Sequence, residues 1–170
     1  MRARGRGAAR LREDRGAFRA ALPGPLYCDS SALLKLYLSE PGSDELNRIV
    51  EGRVDLLVSD LAVSEIVSAL ARRLRQRALT PEVARRIQHA ILGGITSGVY
   101  QNAELTRDVH RRAEHFLLTL PETPLRAADA LHLALATSAR AASMATFDVR
   151  LSIEGGAATR SASTCSNGTG

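Results

Sequence analysis

Short apolar runs alternate with longer stretches of helical spacing along this chain. Compact runs lie at 26–28, 55–59 and 142–148, and a less regular one lies at 99–105 with few β-branched residues. Short runs bounded by Gly, Pro or charged residues predict buried strands, whereas apolar residues at every third or fourth position predict helices. Strands that alternate with helices indicate an α/β domain around a mostly parallel sheet.

Two of the predicted helices form a hairpin. A long helix begins at Ser59 or Asp60 and keeps its apolar face to Leu74. The next begins at Thr80-Pro81, because Thr caps free N–H groups and Pro suits the first helical position, and we expect it to stop near Gly93-Gly94. The short connection between the two helices makes them antiparallel neighbours.

Length and composition predict one globular domain between two disordered segments. The 170 residues are 45% hydrophobic, which suffices for a core. We expect a disordered Arg-rich extension over 1–25, the domain over 26–154 and a disordered, low-complexity tail over 155–170. No apolar run is long enough to cross a membrane, and residues 1–25 hold no apolar signal region. Two cysteines, Cys28 and Cys165, favour a reducing cytoplasm.

The net charge of +5 is concentrated in the N-terminal extension. Residues 1–25 hold seven arginines against two acids, which leaves 16 basic and 16 acidic residues in the remaining chain. The extension is therefore a solvated tail, an electrostatic arm for RNA or a partner-binding segment. Four arginines near the end of the long helix form either a solvated face or a rim that contacts phosphates or a protein partner: Arg72, Arg73, Arg75 and Arg77.

Four carboxylates occupy conspicuous places in the predicted elements. Asp29 follows the first strand, and Asp148 ends the last one. Glu65 lies about one and a half turns into the long helix, while Asp129 lies in the first turns of a helix that is apolar on nearly every side. Three of them have an ordinary structural interpretation, since Asp29 can cap a helix and the positive end of a helix dipole stabilises Glu65 and Asp129.

Taken together, these acids predict a metal site. The C-terminal ends of parallel strands lie along one edge, so Asp29 and Asp148 belong to the same edge. Like charges share a pocket only when cations hold them, and oxygen-only ligand sets favour Mg²⁺ or Mn²⁺. Such a site can activate water for attack on a phosphodiester. The histidines do not have the spacing of a zinc site, and His132 is expected to pack or to hydrogen-bond.

Four motifs surround the acids in order: Asp29–Tyr37, Val63–Ile66 with Ala69-Leu70, Ala128–Ala134, and Thr146–Asp148 with Leu151. Together they resemble the PIN (PilT N-terminus) domain family over about 26–152, and most closely the VapC-type toxins of bacterial toxin–antitoxin pairs. The resemblance implies a three-layer α/β/α fold with a helical hairpin insertion. It also implies a Mg²⁺- or Mn²⁺-dependent endoribonuclease, an antitoxin whose C-terminal segment covers the site, and a homodimer.

The same resemblance implies a role for each site residue. Asp29 and Asp129 would be the principal metal ligands, and Glu65 a further acid of the site. Asp148 would be the fourth acid and reach the metal directly or through water. Thr146 would orient the site through a hydroxyl hydrogen bond. Two departures from the family pattern are the long arm before residue 26 and the lack of a clear final strand after Leu151.

Three alternatives to this interpretation differ in the residues that they require. A receiver domain needs a late lysine, and Lys35 is the only lysine of the chain. A haloacid-dehalogenase-type phosphatase needs a second aspartate two residues after the first, where this chain has Ser31. The remaining alternative is an inactive PIN-like module that binds an antitoxin-type partner or RNA without cleaving it, and the presence of all four acids argues against it.

Overall fold

The computed structural model of the protein describes residues 22–120, 122 and 124–148, and the backbone of 160–161. Its elements are β1 (Leu26–Cys28), α1 (Ser30–Lys35), α2 (Ser43–Val50), β2 (Leu56–Ser59), α3 (Asp60–Arg75), α4 (Pro81–Thr96), β3 (Tyr100–Ala103), α5 (Arg107–Thr119), α6 (Ala127–Ser138), β4 (Ser143–Ala145) and β5 (Arg160–Ser161). Each of the first three strands is followed by two helices. Within the described chain, no helix is both long and apolar enough to pass through a membrane.

The strands form one parallel sheet in the order β3-β2-β1-β4-β5. β1 is central, with Leu26 beside Leu56 of β2 on one side and Ser143 of β4 on the other. Because all pairings are parallel, the C-terminal ends of the strands lie along one edge, which is where α/β sheets bind ligands. The predicted α/β fold with a mostly parallel sheet is confirmed.

Side chains of the strands β1 to β4 alternate between two separate cores. Leu26 and Cys28 of β1 pack with α1–α4, whereas Tyr27 between them packs with α5 and α6. This alternation follows from the twofold period of a strand. The sheet therefore lies between two layers of helices, which is the predicted three-layer arrangement.

The helical hairpin of α3 and α4 begins at the predicted caps. Ser59 Oγ accepts a hydrogen bond of 3.1 Å from Ala62 N, and Thr80 Oγ1 accepts one of 3.4 Å from Val83 N. The prediction that α4 stops near Gly93-Gly94 is wrong, because the helix continues to Thr96. Glycine inside a helix costs only about 1 kcal/mol, and packing of the partly buried Ile95 against the core favours continuation of the helix.

The two helical glycines should respond to alanine in opposite ways. A Cβ at Gly94 would lie 2.7 Å from two ring atoms of Tyr100, whose hydroxyl is hydrogen-bonded to Tyr37. We expect Gly94→Ala to lower the free energy of unfolding by about 1–3 kcal/mol through overpacking. A Cβ at the exposed Gly93 meets nothing within 4 Å, so Gly93→Ala should raise it by roughly 0.5–1 kcal/mol. Urea unfolding of both variants tests this, and equal changes would contradict it.

Both ends of the domain differ from the sequence expectations. Leu22–Pro25, assigned to the disordered extension, pack on the domain: Leu22 O accepts from Arg53, and Pro25 O from Ala142 N. Within the predicted disordered tail, Arg160–Ser161 pairs with β4 as β5. The rest of 1–25 and of 155–170, and the end of the predicted domain at 149–154, lie outside the described residues.

Candidate active site

Asp29 lies at the C-terminal end of β1 and caps α1. Its Oδ1 accepts hydrogen bonds from Ala32 N at 2.8 Å and from Ser31 Oγ at 2.7 Å, and its Oδ2 accepts one from Thr146 Oγ1 at 2.6 Å. The residue is only 2% exposed. Burial raises the pKa of Asp29, although the hydrogen bond from Thr146 and those from Ala32 and Ser31 oppose that effect. Asp29 thus caps a helix and also provides a buried carboxylate at the candidate site.

The segment that follows β4 is bonded to the start of α1. Thr146 Oγ1 donates to Asp29 and accepts from Asp148 N at 3.0 Å, while Ser31 Oγ accepts from Phe147 N at 2.8 Å. The hydroxyl hydrogen bond expected of Thr146 is therefore present. These contacts place Asp148 on the same sheet edge as Asp29.

Glu65 of α3 contacts His132 of α6 across the same edge. His132 Nε2 lies 2.8 Å from Glu65 Oε2. This hydrogen bond is the largest cause that lowers the pKa of Glu65, and the nearby charge of Asp148 partly opposes it. His132 is only 2% exposed and its other ring nitrogen contacts Tyr27. The histidine hydrogen-bonds, as the sequence predicts.

Asp129 is the third residue of α6 and is 6% exposed. Its Oδ2 accepts a hydrogen bond of 2.9 Å from Arg126 N, at the start of its own helix. The residue therefore serves the helix N-terminus, as its ordinary structural interpretation proposes. It also precedes His132 by three positions, which places both on one helix face.

The carboxylate oxygens of the four acids are the kind of ligand that a hard divalent cation prefers. They do not form a complete coordination shell among the described residues. As they lie, no three His, Cys, Asp or Glu side chains in the described chain are grouped closely enough to hold a metal ion. Asp29 and Asp129 are nevertheless buried carboxylates, and neither pairs with a Lys or Arg among the residues that the structure describes. Buried charge without a counter-charge is costly. A bound cation with oxygen ligands would compensate both carboxylates.

Sequence reasoning assigned no role in this region to three polar residues, Tyr27, Ser31 and Ser59. Tyr27 is fully buried and its hydroxyl contacts Ser59 Oγ at 2.8 Å as well as His132, while Ser31 supports Asp29. The signal for Tyr27 and His132 was available in principle, because a buried Tyr or His needs a polar partner. Nothing in the sequence indicated that each is the partner of the other.

Comparison with known proteins identifies the same family as the sequence motifs. A family model described as PIN domain matches residues 26–153. Among the curated proteins, none matches significantly. One similar solved structure is that of VapC20 from Mycobacterium tuberculosis, described as a Sarcin-Ricin loop cleaving toxin; the TM-score is 0.63 at 19% identity, over 76% of this chain and 95% of that one. At this identity the likeness concerns the fold.

Proposed function

We propose that this chain, which belongs to the PIN domain family, is the endoribonuclease toxin of a VapC-type toxin–antitoxin pair. It would hydrolyse RNA phosphodiester bonds with the help of Mg²⁺ or Mn²⁺. The observation that supports this most is that two buried carboxylates, Asp29 and Asp129, have no Lys or Arg partner among the described residues. The description of VapC20 as a loop-cleaving toxin supports the same class of activity.

In this proposal Asp29 and Asp129 would hold the cation, and Glu65 and Asp148 would complete the acidic set. A bound Mg²⁺ or Mn²⁺ supplies charge neutralisation on the phosphate and makes a water more acidic. Thr146 and Ser31 hold the Asp29 carboxylate in one orientation by donating a hydrogen bond to each of its oxygens. Glu65 is kept ionised by its contact with His132. Water is the nucleophile, and no side chain forms a bond to the substrate.

Two protein partnerships belong to the proposal. We expect a cognate antitoxin, whose C-terminal segment covers the acidic edge, and a second copy of the chain as homodimer partner. We also expect the pair to act in the cytoplasm. Arg72 and Arg75 in the last turn of α3 are exposed and available as a rim for phosphates or for an acidic partner, whereas Arg73 is paired with Glu40.

The test is cleavage of total cellular RNA by the purified, antitoxin-free protein. Products are expected in Mg²⁺ or Mn²⁺ and not in EDTA, and they should return when the cation is restored. Absence of products with every cation, from protein shown to be folded by circular dichroism, would contradict the proposal.

The second candidate is a PIN-like module that binds an antitoxin-type partner or RNA without cleaving it. The observation that favours it is that both Asp29 and Asp129 already serve helix N-termini and that the described acids form no ready coordination shell. Retention of RNA in a gel-shift assay, with no cleavage under any cation, would favour this candidate.

A further inference from the structure

We infer that His132 and Tyr27 are positioning residues for Glu65, which they hold through a chain of buried hydrogen bonds that starts at the N-terminus of α3. The inference rests on the proposed function, because Glu65 is one of the acids assigned to the site. It adds a role for His132, which the sequence predicts to pack or to hydrogen-bond, and for Tyr27, which the sequence predicts only as a residue of the first strand.

The chain has four links, each of hydrogen-bond length. Ala62 N donates to Ser59 Oγ at 3.1 Å, and Ser59 Oγ lies 2.8 Å from Tyr27 OH. Tyr27 OH lies 2.7 Å from His132 Nδ1, and His132 Nε2 lies 2.8 Å from Glu65 Oε2. Ser59, Tyr27 and His132 are at most 2% exposed, whereas the Glu65 side chain is 32% exposed. The hydrogen bonds therefore run from the protein interior to Glu65, which is partly exposed to solvent.

One assignment of donors and acceptors satisfies both ends and every link between them. Ala62 N can only donate, and the ionised Glu65 carboxylate can only accept. His132 therefore carries a proton on Nε2, and its Nδ1 can accept from the Tyr27 hydroxyl. Tyr27 in turn accepts from the Ser59 hydroxyl. Both hydroxyls then donate once and accept once within the chain, so the arrangement is self-consistent with the Nε2–H tautomer.

This arrangement restricts the orientation of a site acid. Glutamate has three side-chain torsions, and a solvent-facing carboxylate at the end of them is mobile unless something holds it. His132 Nε2 lies at hydrogen-bond distance from it, and the Ser30 side chain also hydrogen-bonds to it. His132 is itself held by Tyr27, which fixes both tautomer and ring orientation, as the outer partners of site histidines do.

Four variants test the inference. His132→Leu removes the donor, and His132→Gln restores an N–H near the Nε2 position. Tyr27→Phe removes the hydroxyl that bonds to His132 and to Ser59, and it leaves the His132–Glu65 bond in place. Tyr37→Phe is the matched control, because it removes a core hydroxyl that bonds to Tyr100 instead. Urea unfolding establishes that each variant is folded.

We expect the kcat of RNA cleavage to fall about 10- to 100-fold in His132→Leu, with little change in KM. His132→Gln should regain most of it, Tyr27→Phe should lose less than His132→Leu, and Tyr37→Phe should cleave as the wild type does. Calorimetric titration with Mn²⁺ should show weaker binding by His132→Leu than by His132→Gln. A folded His132→Leu with wild-type kcat and Mn²⁺ affinity, or a loss shared by Tyr37→Phe, would overturn the inference.

Nitrogen-15 NMR gives a readout that does not depend on cleavage. Of the four histidines, His132 alone is buried, so its ring signals can be recognised by their absence in His132→Gln. The wild type should show the Nε2–H tautomer, and Tyr27→Phe should perturb the Nδ1 signal. A His132 ring that carries no proton on Nε2 would overturn the hydrogen-bond chain, even if His132→Leu does not fold. If the wild type cleaves no RNA, the proposed function fails while this spectrum still decides the chain.

Discussion

Asp29→Asn is expected to abolish RNA cleavage, with a loss of at least roughly 10²- to 10³-fold in rate, as when one preorganised electrostatic group is removed from a site. The substitution removes the charge while it keeps the shape. Asn is also a good helix cap, so its side-chain oxygen can still accept from Ala32 N. The folded domain should therefore persist. Initial rates on total RNA in Mg²⁺, together with urea unfolding, measure the two effects separately.

Asp60→Asn is the matched control for that experiment. Asp60 directly follows β2 as Asp29 follows β1, and it lies on the same sheet edge. It is exposed, and its carboxylate bonds to Asn102 and to Leu105 N. Because it is not assigned to the acidic set, its amide variant should cleave RNA at the wild-type rate. Retained cleavage by folded Asp29→Asn would contradict the assignment of Asp29.

Thr146→Val should reduce both stability and cleavage. It removes the donor to Asp29 Oδ2 and the acceptor of Asp148 N in one step. An unsatisfied buried acceptor costs about 1–3 kcal/mol in free energy of unfolding. The Asp29 carboxylate also loses one of the bonds that orient it, so we expect cleavage to fall about 10- to 100-fold, as for other groups that support a site ligand. Urea unfolding and RNA cleavage rates measure the two losses.

Thr146→Ser tests whether the hydroxyl or the methyl group of Thr146 is responsible for the loss of cleavage. Serine keeps the donor and the acceptor, so cleavage should stay near the wild-type rate. If Thr146→Ser lost as much cleavage as Thr146→Val, packing of the methyl group rather than the hydrogen bond would control the site.

Much of the fold could be predicted because its local signals are strong. Ser59 and Thr80-Pro81 mark helix starts by chemistry that acts within one turn, and the structure has both helices where these residues predict them. Gly93-Gly94 misled the prediction of the end of α4, because the close approach of the Tyr100 ring to Gly94 is a tertiary contact. β5 was missed for the same kind of reason: a strand of two residues is defined by pairing with β4, not by its own composition.

The sequence proposes the acids of the candidate site but gives no indication of the hydrogen bonds among its side chains. Parallel topology explains why Asp29 and Asp148 share an edge, and the family model confirms the resemblance from which the four acids were assigned. The hydrogen bonds among Tyr27, Ser59, His132 and Glu65 join residues that are 32, 105 and 67 positions apart. Such pairs cannot be read from local periodicity, since each residue has an ordinary role in its own element.

The most direct test of the central claim is to compare RNA cleavage by the wild type and by Asp129→Asn in Mg²⁺. The structural contact of Asp129 is a hydrogen bond from Arg126 N. An Asn side-chain oxygen can accept the same hydrogen bond. The substitution therefore removes charge with little effect on the helix. The account predicts metal-dependent products from the wild type and none from the folded variant. Equal cleavage by both proteins would contradict it.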